Sequence, residues 1–187
     1  MNKSVITSVS PRECELIASG KQTMLVRKTR PKIETPFKCY IYCSKGKTFL
    51  YKNPNNGELF LDSNGGYRGG NYEDRFLTGK VIGSFVCDEI YVRPANVIYY
   101  GKGQEDYLDL LKSACMTERE VLDYMGGQFN RETYFWHISD LKIYDKPKEL
   151  VEFGNYKTEW VQWYHSDDKV FYPLKRMSGS WCYIEEE

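Results

Sequence analysis

Hydrophobic and polar positions alternate along several stretches of the chain. The alternation predicts strands at Ser4 to Val9, Phe37 to Cys43, Lys80 to Val92, Thr133 to Tyr144 and Ser180 to Ile184. In the second of these, Phe37, Cys39, Ile41 and Cys43 fall on one face, because successive side chains of an extended chain point to opposite sides. Lys47 to Lys52 and Glu58 to Asp62 flank the turn signal N-P-N-N-G and read as a hairpin. Gly83, inside the most strand-like run, marks a bulge or a close backbone approach.

A helical period replaces the alternation at Pro11 to Ser19, where Cys14, Ile17 and Ala18 form a stripe, at Gln104 to Ala114 and at Glu118 to Met125. Ser10 with Glu13, and Thr117 with Glu120, have the spacing of capping boxes, and Gly20 and Gly126 supply the stops. After Gly20 a basic strand is expected, with Thr23, Leu25 and Arg27 on one face and Met24, Val26 and Lys28 on the other. Many strands with few helices, in no regular alternation, predict an α+β fold around a mostly antiparallel, barrel-like sheet.

Composition narrows the class. A chain of 187 residues with 41% hydrophobic and 16% aromatic content supports one well-buried domain over 1–187. Within it, the Gly-rich Ser63 to Gly79 reads as a surface loop and 154–187 as an aromatic C-terminal extension. No apolar run approaches the roughly eighteen residues of a membrane span and no secretory signal is evident, so a cytoplasmic protein without membrane association is expected. The six cysteines then read as reduced thiols, with Cys39 and Cys43 in the core; no second Cys or His pair has zinc spacing, so no metal and no cofactor are expected.

Charge is balanced at 26 basic against 26 acidic residues, which excludes a broad electrostatic grip on nucleic acid. Its distribution is uneven. Lys21, Arg27, Lys28, Arg30, Lys32 and Lys38 face the single acid Glu34 between Gly20 and Lys38, a local patch suited to a confined anion or a short nucleic-acid segment. Lys28, Arg30 and Lys32 read equally well as a solvated face. Lys21 and Arg27 are the candidate anion contacts, the arginine as a fork and the lysine as a point charge. Trp136, Trp160, Trp163 and Trp181 are candidate stacking surfaces, although tryptophans in strands are more often core. His137 and His165 read as structural, and Cys14 lies on an apolar stripe.

The segment G-K-Q-T-M-L-V-R, preceded by E-L-I-A-S-G, resembles the G-x-K-x-x-E-x-R region of ASCH domains, members of the PUA-like group of RNA- and nucleotide-associated β-barrels. The resemblance extends to G-K-V-I-G-S-F-V-C-D-E-I, to the M-T-E-R-E helix and to the closing S-W-C-Y-I-E, which is similar to the ends of prophage-encoded ASCH proteins. It implies a PUA-like fold and a site for RNA or a nucleotide-like molecule. On that reading Lys21 and Arg27 contact the anionic part, Ser10, Gln22 and Thr23 hydrogen-bond polar edges, and Trp181 packs against a base. Some small relatives are amidohydrolases for acetylated cytidine. Gln22, Leu25 and Ala114 stand at the positions of their lysine, threonine and glutamate, and none of these can transfer a proton or attack a carbonyl at neutral pH. Binding without catalysis is therefore expected. A diverged hydrolase or ribonuclease using Lys21 and Thr23 with Asp88 or Glu89, and a phage accessory protein docking its aromatic C-terminal region on a host protein, are the alternatives.

Overall fold

A computed structural model describes residues 2–63, 75–96, 102–127, 130–161 and 164–186; the side chains of 2, 102–104, 158–161 and 164–168 are outside the description. Strands β1 (Asn2–Val9), β3 (Phe37–Cys43), β6 (Val81–Cys87), β9 (Ser139–Lys148) and β12 (Trp181–Glu186) form one sheet in the order β12-β1-β3-β6-β9. Only β1 and β3 run parallel within it. A second, antiparallel sheet has the order β2-β8-β7, from β2 (Met24–Arg27), β7 (Ile90–Arg93) and β8 (Thr133–His137). Two hairpins, β4 (Phe49–Lys52) with β5 (Leu59–Asp62), and β10 (Gly154–Val161) with β11 (Tyr164–Pro173), complete the strands. Helices α1 (Pro11–Ala18), α2 (Lys102–Ser113) and α3 (Glu118–Tyr124) make the fold a mixed α+β one dominated by strands, as expected. No helix among the described residues is long and apolar enough to cross a membrane.

Three apolar clusters explain the order of the layers. The largest joins Val5, Cys39, Ile41 and Phe85 of the main sheet to Leu25 and Trp136 of the second sheet and to Cys14 and Ile17 of α1. The second lies on the other face of β2 and β8, where Met24, Val26 and Phe135 meet Tyr107, Leu111 and Ala114 from the α2 segment and Val121 and Met125 from the α3 segment. A third covers the far face of the main sheet, with Ile6, Tyr40 and Ile184 against Leu150 and Phe153. Strand β2 is thus enclosed on both faces and all four of its residues are buried. Leu25 faces one core and Met24 and Val26 the other, as the alternation requires, and Arg27 is buried with them while Lys28 and Arg30 beyond the strand are exposed.

Two long strands read from the sequence are each divided. Lys80 to Val92 breaks at Asp88 and Glu89 into β6 and β7, and Thr133 to Tyr144 breaks at Ile138 into β8 and β9, so each run serves both sheets. Neither break carries Gly or Pro, which is why continuous β-propensity concealed them. Of the W-V-Q-W-Y-H segment, 160–161 lie in β10 and 164–165 in β11. Of the Gly-rich Ser63 to Gly79 loop only 63 and 75–79 are described.

Gly83 lies where β6 shifts register against β9. A Cβ there would collide with the Lys142 carbonyl oxygen and lie 3.2 Å from the Ile143 Cα, so the close approach expected from sequence is real. Gly83→Ala should destabilise the protein by more than ~2 kcal/mol in urea unfolding, because the obstructing atoms are backbone.

Strand β12 is fastened to β1 and β3 through Glu186. Its carboxylate accepts from Ser4 Oγ at 2.6 Å, Tyr40 OH at 2.8 Å and Lys38 Nζ at 3.1 Å. Partial burial raises the Glu186 pKa, but these hydrogen bonds and the Lys38 charge outweigh it and leave the group below its ordinary value. Burial, with Glu186 beside it, pushes the Tyr40 phenol up to about 12. A carboxylate depressed in the folded state adds stability above its unfolded pKa, about 4.3, and that contribution disappears as pH falls through the lower folded value. Glu186→Gln should therefore be less stable than wild type at neutral pH, with the gap closing below about pH 4 in a pH series of urea melts.

Candidate ligand pocket

The first helix opens the site. Ser10 Oγ accepts from the Glu13 backbone N–H at 3.3 Å, while the Ser10 N–H and hydroxyl donate to Glu13 Oε2 at 3.1 and 2.7 Å. At its other end Gly20 adopts a φ of 73°, and the N–H groups of Lys21 and Gln22 both return to the Leu16 carbonyl at 2.9 and 3.1 Å. That reversal turns Gln22 inward beneath the helix, where it is buried, and leaves Lys21 and Thr23 exposed. The Thr23 N–H donates to Ser113 O at 2.9 Å, which brings the end of α2 alongside.

These elements enclose a cavity of about 380 Å³. Ser10, Arg12, Glu13 and Leu16 line it from α1, and Ala114, Cys115, Met116, Glu120 and Tyr124 from the α2–α3 side. Gln22, Val26 and Arg27 form the β2 wall, and Ser8, Gly179 and Ser180 the edge next to β12. The N-terminal turns of α1 and α3 meet at its rim, where Arg12 and Glu120 pair at 3.6 Å.

Arg27 is the most informative lining residue. It is 3% exposed, and its guanidinium donates to Thr7 Oγ1 from Nε at 3.0 Å and from one terminal nitrogen at 2.8 Å. It also donates to the Ser8 carbonyl at 2.9 Å and the Val26 carbonyl at 2.8 Å. Thr7 completes its capacity by donating to Ser180 O at 3.0 Å. Four of the five guanidinium N–H groups are thus held by neutral oxygens. Burial raises the Tyr124 pKa, with Glu13 adding to the rise and the Arg27 charge opposing it. Across the cavity, the Thr117 backbone and hydroxyl, with Arg12 nearby, hold the Glu120 carboxyl below its ordinary range against a small desolvation effect.

The candidates named from sequence separate. Ser10, Gln22 and Arg27 share this cavity. Lys21 lines a different cleft with Glu15, Glu58 and Leu59. Trp181 packs against Trp136 and Tyr183 at centroid distances of 6.0 and 5.3 Å, and its indole donates to Thr29 Oγ1 at 3.0 Å, so its place is the rim of the core. Of Gln22, Leu25 and Ala114, the positions the sequence resemblance singles out, Gln22 and Ala114 line the cavity while Leu25 is wholly buried in the main core. Trp163 and the side chains of Trp160 and His165 lie outside the described residues.

The basic run disperses in three dimensions. Arg27 is interior, Lys38 pairs with Glu186 at 3.1 Å, Lys28 sits over the Tyr124 ring at 5.0 Å, and Arg30 and Lys32 line a third cleft with Glu34 and Glu89. Asp88 Oδ1 is 2.7 Å from His137 Nδ1; desolvation raises its pKa, but the hydrogen bonds from His137, Ser139 and its own backbone, with the His137 charge, together outweigh it and leave it lowered. Cys14 is fully buried, and desolvation together with Cys43 pushes its thiol well above the ordinary value, which removes it as a nucleophile. No group of three or more His, Cys, Asp and Glu gathers at metal-binding distance among the described residues. Sequence reasoning missed Thr7, Ser8, Tyr124 and Ser180. The two capping boxes were visible in sequence, but nothing local shows that they meet.

No protein-family model matches the chain, and no curated protein sequence matches it. Among solved structures it is similar to the ASCH protein of Zymomonas mobilis, with a TM-score of 0.49 and 16% identity over 79% of this chain and 73% of that one. A tyrosine-to-phenylalanine mutant of that protein gives the same score and identity over 80% and 77% of the two chains. A serine-to-alanine mutant gives them over 79% and 74%. At that score and identity the likeness says nothing about individual residues.

Proposed function

We propose that the protein is an ASCH-domain protein of the PUA-like type, with its two sheets curled into a partly closed barrel, and that it binds a nucleotide, free or as one unit of an RNA strand. The observation carrying this reading is the buried Arg27, held by neutral oxygens alone and facing a cavity. A guanidinium removed from water gains most from an anionic partner, and a phosphate in the cavity supplies the charge that its neutral oxygen partners lack. At about 380 Å³ the cavity is at the small end for ligand sites, which suits one nucleotide unit rather than a run of strand. The contact set is then Ser10, Gln22 and Arg27. Six free cysteines suit the reducing, cytoplasmic setting expected of a prophage-type protein.

A hydrolase built on Lys21 and Thr23 with Asp88 or Glu89 has less support, because Lys21 and Glu89 line separate clefts and Asp88 is engaged with His137. Docking of the aromatic C-terminal region on a host protein draws no support from side chains outside the described set.

Calorimetric titration with nucleoside 5′-monophosphates and the matching nucleosides should show the phosphate strengthening binding by about tenfold or more, the scale of one charged hydrogen bond. Arg27→Lys should lose most of that advantage while remaining folded by circular dichroism, and Lys21→Ala should bind like wild type. Equal affinity for nucleoside and monophosphate would sink the assignment of Arg27.

A further inference from the structure

Gln22 carries an unmet hydrogen-bonding demand. The residue is 1% exposed, and its Nε2 donates to the Met24 carbonyl at 3.0 Å. A carbonyl oxygen only accepts, so this bond fixes the amide orientation and leaves Oε1 as the free end. Oε1 is buried and has no partner. The backbone is pinned by the Gly20 reversal and the hydrogen bond to Leu16 O at 3.1 Å, and the side chain is held by its bond to Met24 O and by burial. Buried acceptors are nearly always satisfied, and because Gln22 lines the cavity a ligand seated there is the candidate donor for Oε1.

The other polar groups at the cavity discriminate less. Ser10, Ser180 and Tyr124 carry hydroxyls, which can donate or accept. Glu13 Oε2 is taken by Ser10, and Glu120 is taken by Thr117 and Arg12. Gln22 and Arg27 are five residues apart, so their backbones stand at most roughly 16 Å from each other along the β2 wall. The hydrogen bonds from Gln22 N–H to Leu16 O at 3.1 Å and from Thr23 N–H to Ser113 O at 2.9 Å bring the apolar lining residues Leu16 and Ala114 near Gln22, surroundings suited to a planar base.

We propose that Gln22 is the specificity element of the pocket: its Oε1 accepts a hydrogen bond from an imino or amino N–H on the base, so the site selects bases that carry that proton over those alkylated there. This rests on the nucleotide reading above.

The test is calorimetric titration of the full chain with uridine 5′-monophosphate and its N3-methyl derivative, and with cytidine 5′-monophosphate and its N4,N4-dimethyl derivative. Wild-type protein should favour at least one unmethylated nucleotide by about tenfold or more, the scale of one buried hydrogen bond. The ratio should fall toward one in Gln22→Met and persist in Gln22→Glu, which keeps an acceptor. An unchanged ratio in Gln22→Met, or no discrimination by wild type, overturns the role of Gln22 while leaving nucleotide binding intact. Failure of wild type to bind any of the four overturns the nucleotide reading itself. Should Gln22→Met not fold, the side-chain amide resonance of Gln22 in wild-type protein decides the matter: it should shift with the unmethylated nucleotide and not with its methylated partner.

Discussion

The Arg27 guanidinium stands at the junction of the two sheets, tying the end of β2 to Thr7 and Ser8 at the end of β1, while Thr7 in turn holds Ser180 at the start of β12. Removing such a charge from water is costly, and only a dense set of oriented oxygens offsets it. That requirement fixes where three strand ends lie relative to one another. It also places a cation against the cavity wall without a flexible stem, which is the condition for recognising an anion in one geometry.

Packing around β2 supplies the other half of the geometry. Because β2 is enclosed between the main core and the α2–α3 cluster, it cannot shift or twist without disturbing both. The residues just before it inherit that rigidity, and Gln22 is held in place by main-chain bonds on one side and the Met24 carbonyl on the other. The cavity is therefore built on a strand buried on both faces, while its rim, made from two short helix starts and the Arg12–Glu120 pair, is exposed.

Local chemistry was legible in the sequence and distant chemistry was not. Both capping boxes, the Gly20 turn, the close approach at Gly83 and the inward row of Phe37, Cys39, Ile41 and Cys43 depend on a few neighbouring residues, and each appears as read. The divisions at Asp88–Glu89 and Ile138 depend on two sheets competing for one run of β-formers, a tertiary effect with no Gly or Pro to announce it. Arg27 shows the same limit in charge: its neighbours Lys28 and Arg30 are exposed, so a basic run suggested a surface, but Thr7, twenty positions earlier, had already supplied the oxygens that let one member turn inward. Lys21 and Trp181 were grouped with it on proximity in sequence or motif, and the turn at Gly20 and the packing against Trp136 carry them elsewhere.

The pairing of the first strand with the last has a consequence for the order of synthesis. Arg27 and Gln22 leave the ribosome early, yet the oxygen that steadies Thr7 and the edge contributed by Gly179 and Ser180 come from the segment entering β12. A nascent chain carries the charged half of the pocket long before the wall that closes it. Until those later residues emerge, β1 has a bare edge and the guanidinium a loosely held acceptor, so the pocket is completed only once the segment entering β12 has been made.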